Sequence, residues 1–214
     1  MTYAATEAGA LRRSQAERSA TTQRRLLDAA IECLHRVGYS QTTLGLVADT
    51  AGVSRGALTH QYPTKIDLML AVVRLVYDDD IRLYGRLAEG RTPREVVATI
   101  PQAMWEVLSR PSAIAVIEIM LASRSDRALN EQLGAIQAGM QKEAGRRIVG
   151  LFDAAGLQDR PDGAAIHRLF VGAVAGLAIE QVAMGRRARV EDSIRVLTEV
   201  LHLLYPELRT DRPA

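Results

Sequence analysis

One cysteine, two lysines and few aromatic residues set the first limits on this chain of 214 residues. Cys33 has no cysteine to pair with, so an internal disulfide is excluded, which fits a reducing compartment. A reactive thiol needs an exposed, electropositive setting. Cys33 instead stands at helical spacing from Leu26, Ala30 and Val37, the pattern of a core thiol. Lysine is confined to Lys65 and Lys142, so nearly all positive charge is arginine. Lysine scarcity with abundant alanine and arginine fits a GC-rich bacterial genome. Long hydrophobic runs are also missing. The longest charge-free apolar run, Leu169–Ile179, falls short of the roughly 20 residues a membrane span requires. The N-terminus is polar and arginine-bearing without an apolar h-region, so no secretory signal and no membrane partner are expected, and the location expected is cytoplasmic. A glycine-rich phosphate loop is absent too. His35, His60, His167 and His202 are too dispersed to form a metal motif and pair with no evident nucleophile. No enzyme activity, catalytic residue, cofactor or metal is therefore expected.

What is present is helical pattern and a mild local excess of positive charge. The net charge is +2, from 27 basic against 25 acidic side chains. Residues 1–65 hold eight Lys/Arg against five Asp/Glu, a balance of the sign needed beside phosphates. A hydrophobic fraction of 48% is enough to build a core. No run of alternating strand pattern occurs, so an all-α fold is predicted.

Residues 1–20 are polar, with Arg12, Arg13 and Arg18, and are expected to form a flexible arm or to extend the first helix; such an arm is either an idle tail or a contact to a phosphate backbone or minor groove. Leu27, Ile31 and Leu34 then make one apolar stripe of a helix that Gly38 ends. Residues 43–62, TLGLVADTAGVSRGALTHQY, have the order of a helix-turn-helix. Val47, Ala48 and Val53 are small or apolar where two short helices must touch. Gly52 sits in the turn, Ser54 caps the second helix and Leu58 faces inward. Pro63 stops that helix, and Thr64 with Asp67 forms a capping box for a long one. Thr92-Pro93-Arg94-Glu95 starts the next, carrying Val96, Val97, Ile100, Met104 and Leu108. Further helices are predicted over 113–123, from Ser125 to near Gly156, over 164–185 and over 190–205.

Helical geometry selects the candidate DNA contacts. Leu58 and Tyr62, four apart, face the core, so the opposite face presents Arg55, Gly56, Thr59 and His60, with Gln61 at its edge. Arg55 can bond guanine O6 and N7 together, or clamp a phosphate. Thr59 can offer its methyl to thymine or its hydroxyl to a phosphate. Gly56 permits close approach, and His60 is either a contact or a solvated surface histidine. Thr43 and Ser54 stand at helix N-termini, whose backbone N–H groups suit phosphate; they can equally be plain caps.

The stretch from Arg24 to about Val76, with LLDAAIECLHRVGY, TTLGLVADTAGVSRGAL and PTKIDLM, resembles the DNA-binding domain of TetR-type transcriptional regulators. The resemblance implies a three-helix N-terminal helix-turn-helix domain (21–66) and a larger C-terminal helical domain (67–208) for effector binding and dimerisation. It implies a homodimeric repressor that binds a double-stranded DNA operator, an inverted repeat, and is released by a small-molecule effector. An activator, or a regulator governed by a protein partner without a ligand pocket, is the alternative. Lys65 matches the family's phosphate-contacting lysine. Three positions depart from the pattern: Thr59 where tyrosine is common, Gln61 where histidine or another polar residue is frequent, and Gly45 where arginine is common.

In the C-terminal region, Met104, Trp105, Met120, Met140 and Phe170 are adaptable or aromatic residues that serve either a core or a pocket. Glu118 lies among apolar neighbours in AIAVIEIML and demands a partner. Arg124, His167 or Arg168 could supply it, or Glu118 could recognise a ligand. Gln137 and His167 carry the same ambiguity. Gly172, Ala175 and Gly176 allow close helix approach, and Ile194, Leu197, Leu201 and Leu204 form a stripe on the last helix. The resemblance implies that these two helices pair with their twofold mates as a four-helix bundle; the alternative is that they close the monomer core.

Overall fold

The computed structural model describes residues 3–157, 163–185 and 189–209, with side chains from residue 19 onward. Among these residues there are α-helices and no strand. In chain order they are α1 (Tyr3–Gln41), α2 (Leu44–Ala51), α3 (Arg55–Gln61), α4 (Lys65–Ala88), α5 (Pro93–Ala98), α6 (Ile100–Leu108), α7 (Pro111–Ala122), α8 (Arg127–Ala154), α9 (Gly163–Met184) and α10 (Val190–Leu204), followed by a 3-10 turn, Pro206–Leu208.

Two compact units result. One comprises residues 1–75 and 115–130, the other 76–114 and 131–214. The first thus takes in a segment from the middle of the chain that the linear reading places in the C-terminal region. Its α1 begins at Tyr3, so the N-terminal stretch extends the first helix. The alanines, arginines and glutamates there are good helix formers, and no proline interrupts them. α1 bends at Gly38, whose φ of 76° is the left-handed region that glycine enters most cheaply. Leu26, Cys33, Leu34, Val47, Ala48, Leu58 and Leu68 are fully buried in this unit. Cys33 Sγ lies 3.4 Å from Thr50 Oγ1, a packed thiol as its spacing predicts.

The second unit is built on Val97, Ile100, Met104, Ile166, Phe170, Val174, Ile194 and Leu201. Polar ties fix its helices. Arg94 Nε donates to the Ala155 carbonyl at 2.9 Å, and Gln102 Nε2 donates to Thr198 Oγ1 at 2.7 Å. Tyr77 donates its hydroxyl to the Met140 carbonyl at 3.1 Å, and Arg110 pairs with Asp80. The helix predicted from Pro93 to Leu108 is two helices, parted at Thr99. Pro101 lacks an N–H for Val97 and its ring crowds the preceding turn, so it starts α6 instead of continuing α5. The Thr92–Glu95 capping box forms with both reciprocal bonds.

α9 is longer than the apolar run inside it. By length and composition alone its 22 residues could cross a bilayer. Its Ile166, Phe170, Val174 and Ala178, however, are buried in the unit's own core.

Candidate nucleic-acid interface

The head is organised by its caps. Thr43 Oγ1 accepts from the Leu46 N–H and Ser54 Oγ from the Ala57 N–H, both at 3.1 Å. Each satisfies one of the orphan donors at a helix start. Gly52, at φ 62°, turns the chain between α2 and α3, and the Val53 N–H returns to the Ala48 carbonyl at 3.0 Å. Leu58 is 0% exposed and Tyr62 5%, which anchors one side of α3. Truncating a leucine buried this completely costs about 2–5 kcal/mol.

The other side of α3 is bare. Arg55, Gly56, Thr59 and His60 are exposed and Gln61 is half-buried. The side predicted from the four-residue spacing is therefore the outward one. Gly56 has nothing within 4 Å of where a Cβ would stand, so the protein itself does not require glycine there. Thr59 donates its hydroxyl back to the Arg55 and Gly56 carbonyls, at 3.1 and 3.3 Å. Its methyl is thus the group left to present outward. Thr43 and Ser54 are exposed and act as caps.

Lys65 is occupied within the protein. Its Nζ donates to the Tyr39 carbonyl at 2.6 Å and lies 3.9 Å from the centre of the Tyr39 ring. Burial lowers its pKa, and the charge of Asp126 opposes that shift. Glu118 lies in the same unit. Its Oε2 accepts the Tyr39 N–H at 3.0 Å, beside the bend at Gly38. The partner of Glu118 is therefore a backbone N–H, not Arg124, His167 or Arg168. The positive φ of Gly38 turns that N–H out of the helix, and a sequence pattern has no means of pairing positions 79 apart.

The residues predicted for a pocket are drawn from both units. Glu118 and Met120 belong to the first unit, and Met120 is 45% exposed. Met104, Trp105, Gln137, Met140, His167 and Phe170 belong to the second. Met104, His167 and Phe170 meet around an internal space of about 10 Å³, closed by Ile100, Phe152, Ile166 and Leu201. That is room for no more than a single water. Burial, and then the like charge of Arg168, lowers the His167 pKa and favours the neutral imidazole. Trp105 packs against the core from its edge; Gln137 and Met140 are half-buried on α8.

On the candidate dimer helices, Ile194 and Leu201 turn into the chain's own core, and Leu197 and Leu204 pack against it. Gly172 and Gly176 are exposed and Ala175 is half-buried. The exposed apolar side chains are others: Leu169, Ile179, Val182 and Met184 on α9, and Val196, Val200 and Leu203 on α10. Leu203 is 65% exposed. The stripe at 194, 197, 201 and 204 thus divides, Ile194 and Leu201 lying within the chain's own core and Leu197 and Leu204 partly buried at its edge.

Comparison with known proteins agrees with this architecture. The sequence profile of bacterial regulatory proteins of the tetR family matches residues 26–72, the span from the buried end of α1 into α4. The HTH-type transcriptional regulator CymR of Pseudomonas putida is 31% identical over 206 residues, covering 92% of this chain and 98% of that one. The chain belongs to the tetR family. As a member it is a DNA-binding transcriptional regulator with an all-α fold, an N-terminal helix-turn-helix and a C-terminal helical domain. A transcriptional regulator from Rhodococcus sp. Rha1 shares the fold with a TM-score of 0.70 at 19% identity, over 86% of this chain and 96% of the other. FadR from Bacillus subtilis, solved in complex with stearoyl-CoA, shares it with a TM-score of 0.63 at 17% identity, over 83% and 96%.

Proposed function

We propose that this protein is a homodimeric, sequence-specific repressor that leaves its operator when a small molecule binds its second unit. The observation that carries the DNA part is the outward side of α3, where Arg55, Gly56, Thr59 and His60 are exposed opposite a buried Leu58. Arg55 is the base reader and Gly56 admits the DNA backbone. The caps Thr43 and Ser54, with Gln61 and Lys65, border the phosphates. Two such heads on a twofold axis would read an inverted repeat with half-sites about 34–36 Å apart or a multiple of that. Such a protein works where the genome is, in the bacterial cytoplasm.

The dimer rests on α9 and α10. The exposed Leu169, Ile179, Val182, Val196, Val200 and Leu203, beside Gly172 and Gly176, supply an apolar face that admits close helix approach. The effector site is the meeting point of Met104, His167 and Phe170. Its space of about 10 Å³ must open before a ligand enters, by rotation of flexible side chains such as Met104. The stearoyl-CoA bound to FadR shows that a protein of this fold accommodates a ligand. Ligand then shifts α4, and the two α3 helices lose their spacing on DNA, provided the ligand favours that state. The closed space equally favours a second reading, a regulator governed by a protein partner with its core permanently filled.

Selection of bound duplexes from a random pool tests the first reading. An enriched inverted repeat, released by a small molecule that also raises the melting temperature, supports it. An enriched repeat that no ligand releases favours the second reading. No enriched sequence removes both.

A further inference from the structure

Gly45 is buried although it lies in the first turn of a helix whose N-cap, Thr43, is exposed. What covers it is a side chain from the next helix. A Cβ placed on Gly45 would collide with Arg55 Nη2 and stand 3.0 Å from Cζ and 3.1 Å from Nε. All three nearest atoms belong to one guanidinium, which therefore lies across the bare Cα of Gly45. Any larger residue at 45 would have to displace it. The displaced group is the far end of a flexible side chain, so the backbone of neither helix need move. Glycine is otherwise a poor choice within α2, because it is the weakest helix former after proline. No left-handed backbone explains it either, since Gly45 is not among the glycines of positive φ.

We infer that Gly45 is a specificity-determining positioning residue: its missing side chain forms a notch that seats the Arg55 guanidinium and fixes where it meets the operator. The pair spans α2 and α3, so the notch sets the guanidinium relative to the whole helix-turn-helix and not to α3 alone. An arginine held this way loses less rotational freedom when it bonds a base, and its reach is restricted to one base step. This rests on the proposal that α3 reads DNA.

The test is a double-mutant cycle on the selected operator, with base preference read at every half-site position. Wild type, Gly45→Ala, Arg55→Ala and the double variant are compared, with Gly45→Ser as a second probe of the notch. Circular dichroism and melting confirm that each is folded. Arg55→Ala is expected to weaken binding about 10- to 100-fold and to flatten preference at one base pair per half-site. Gly45→Ala is expected to weaken binding roughly 3- to 10-fold and to alter preference at that same base pair, with no further loss once Arg55 is alanine. Additive losses, or wild-type preference in both Gly45 variants, would overturn the notch while leaving DNA recognition intact. An Arg55→Ala variant that binds as wild type also overturns it. Failure of wild-type protein to enrich any duplex would remove the underlying DNA reading as well.

Discussion

Asp80 should make the protein less stable as the pH rises toward neutrality, the reverse of an ordinary ion pair. Its carboxylate meets Arg110 in the second unit, with side chains 20% and 31% exposed. A neighbouring guanidinium ordinarily lowers an aspartate pKa. Here burial outweighs the attraction of Arg110, Asp79 adds like charge, and the carboxyl is raised from 3.8 to about 6. The folded protein therefore binds this proton more tightly than the unfolded chain does. The stabilising contribution is fully present below the unfolded value of 3.8 and is lost as pH rises through the folded value of about 6. That rise corresponds to about 3 kcal/mol. Residual solvent access brings the expected effect to about 1–3 kcal/mol. Asp80→Asn keeps the shape and removes the titration. Urea unfolding of both proteins at matched concentration, between about pH 4 and 7.5, isolates the contribution of this carboxyl in their stability difference. Wild type should lose about 1–3 kcal/mol relative to Asp80→Asn across that window. A difference that stays flat, or that favours wild type increasingly at higher pH, would show that pairing with Arg110 dominates and would refute the reasoning.

Gly56→Ala should raise the stability of the free protein by about 0.5–1 kcal/mol, since open space surrounds the position, while weakening operator binding; equal operator affinity in a titration would remove the close-approach role. Lys65→Ala should cost about 1–3 kcal/mol in urea unfolding through its lost bond and ring contact with Tyr39, and reduce the salt slope of DNA binding by about one; unchanged stability would mean that these contacts hold nothing in place. Glu118→Ala should cost about 1–2 kcal/mol, and Glu118→Gln much less because the amide oxygen still accepts the Tyr39 N–H; equal losses in melting experiments would count against that bond. Leu203→Glu should yield a folded monomer in sedimentation equilibrium, whereas Ile194→Glu, placed in the core, should unfold; a dimeric Leu203→Glu would move the interface elsewhere.

Local chemistry determined much of this protein. Thr43, Gly52, Ser54 and Pro63 act within a few residues of themselves, through caps, a left-handed turn and a missing N–H, so the helix-turn-helix and the outward side of α3 were legible along the chain. The same holds for the Thr64–Asp67 and Thr92–Glu95 caps, whose bonds close over three residues. Even locally, Pro101 shows a limit: apolar periodicity ran straight across it, and the break at Thr99 follows from a steric rule that periodicity does not encode.

What only the tertiary structure decided concerns groups brought together from distant positions. The notch at Gly45 exists because α3 folds back over α2 and lays Arg55 on a bare Cα. Lys65 is drawn to Tyr39, and Glu118 to the N–H that the bend at Gly38 turns outward. On α10 the sequence offers an apolar stripe at Ile194, Leu197, Leu201 and Leu204. Packing against α6 and α9 buries Ile194 and Leu201 and leaves Val196, Val200 and Leu203 outside, because a helix offers one side to its own core and the sequence does not say which.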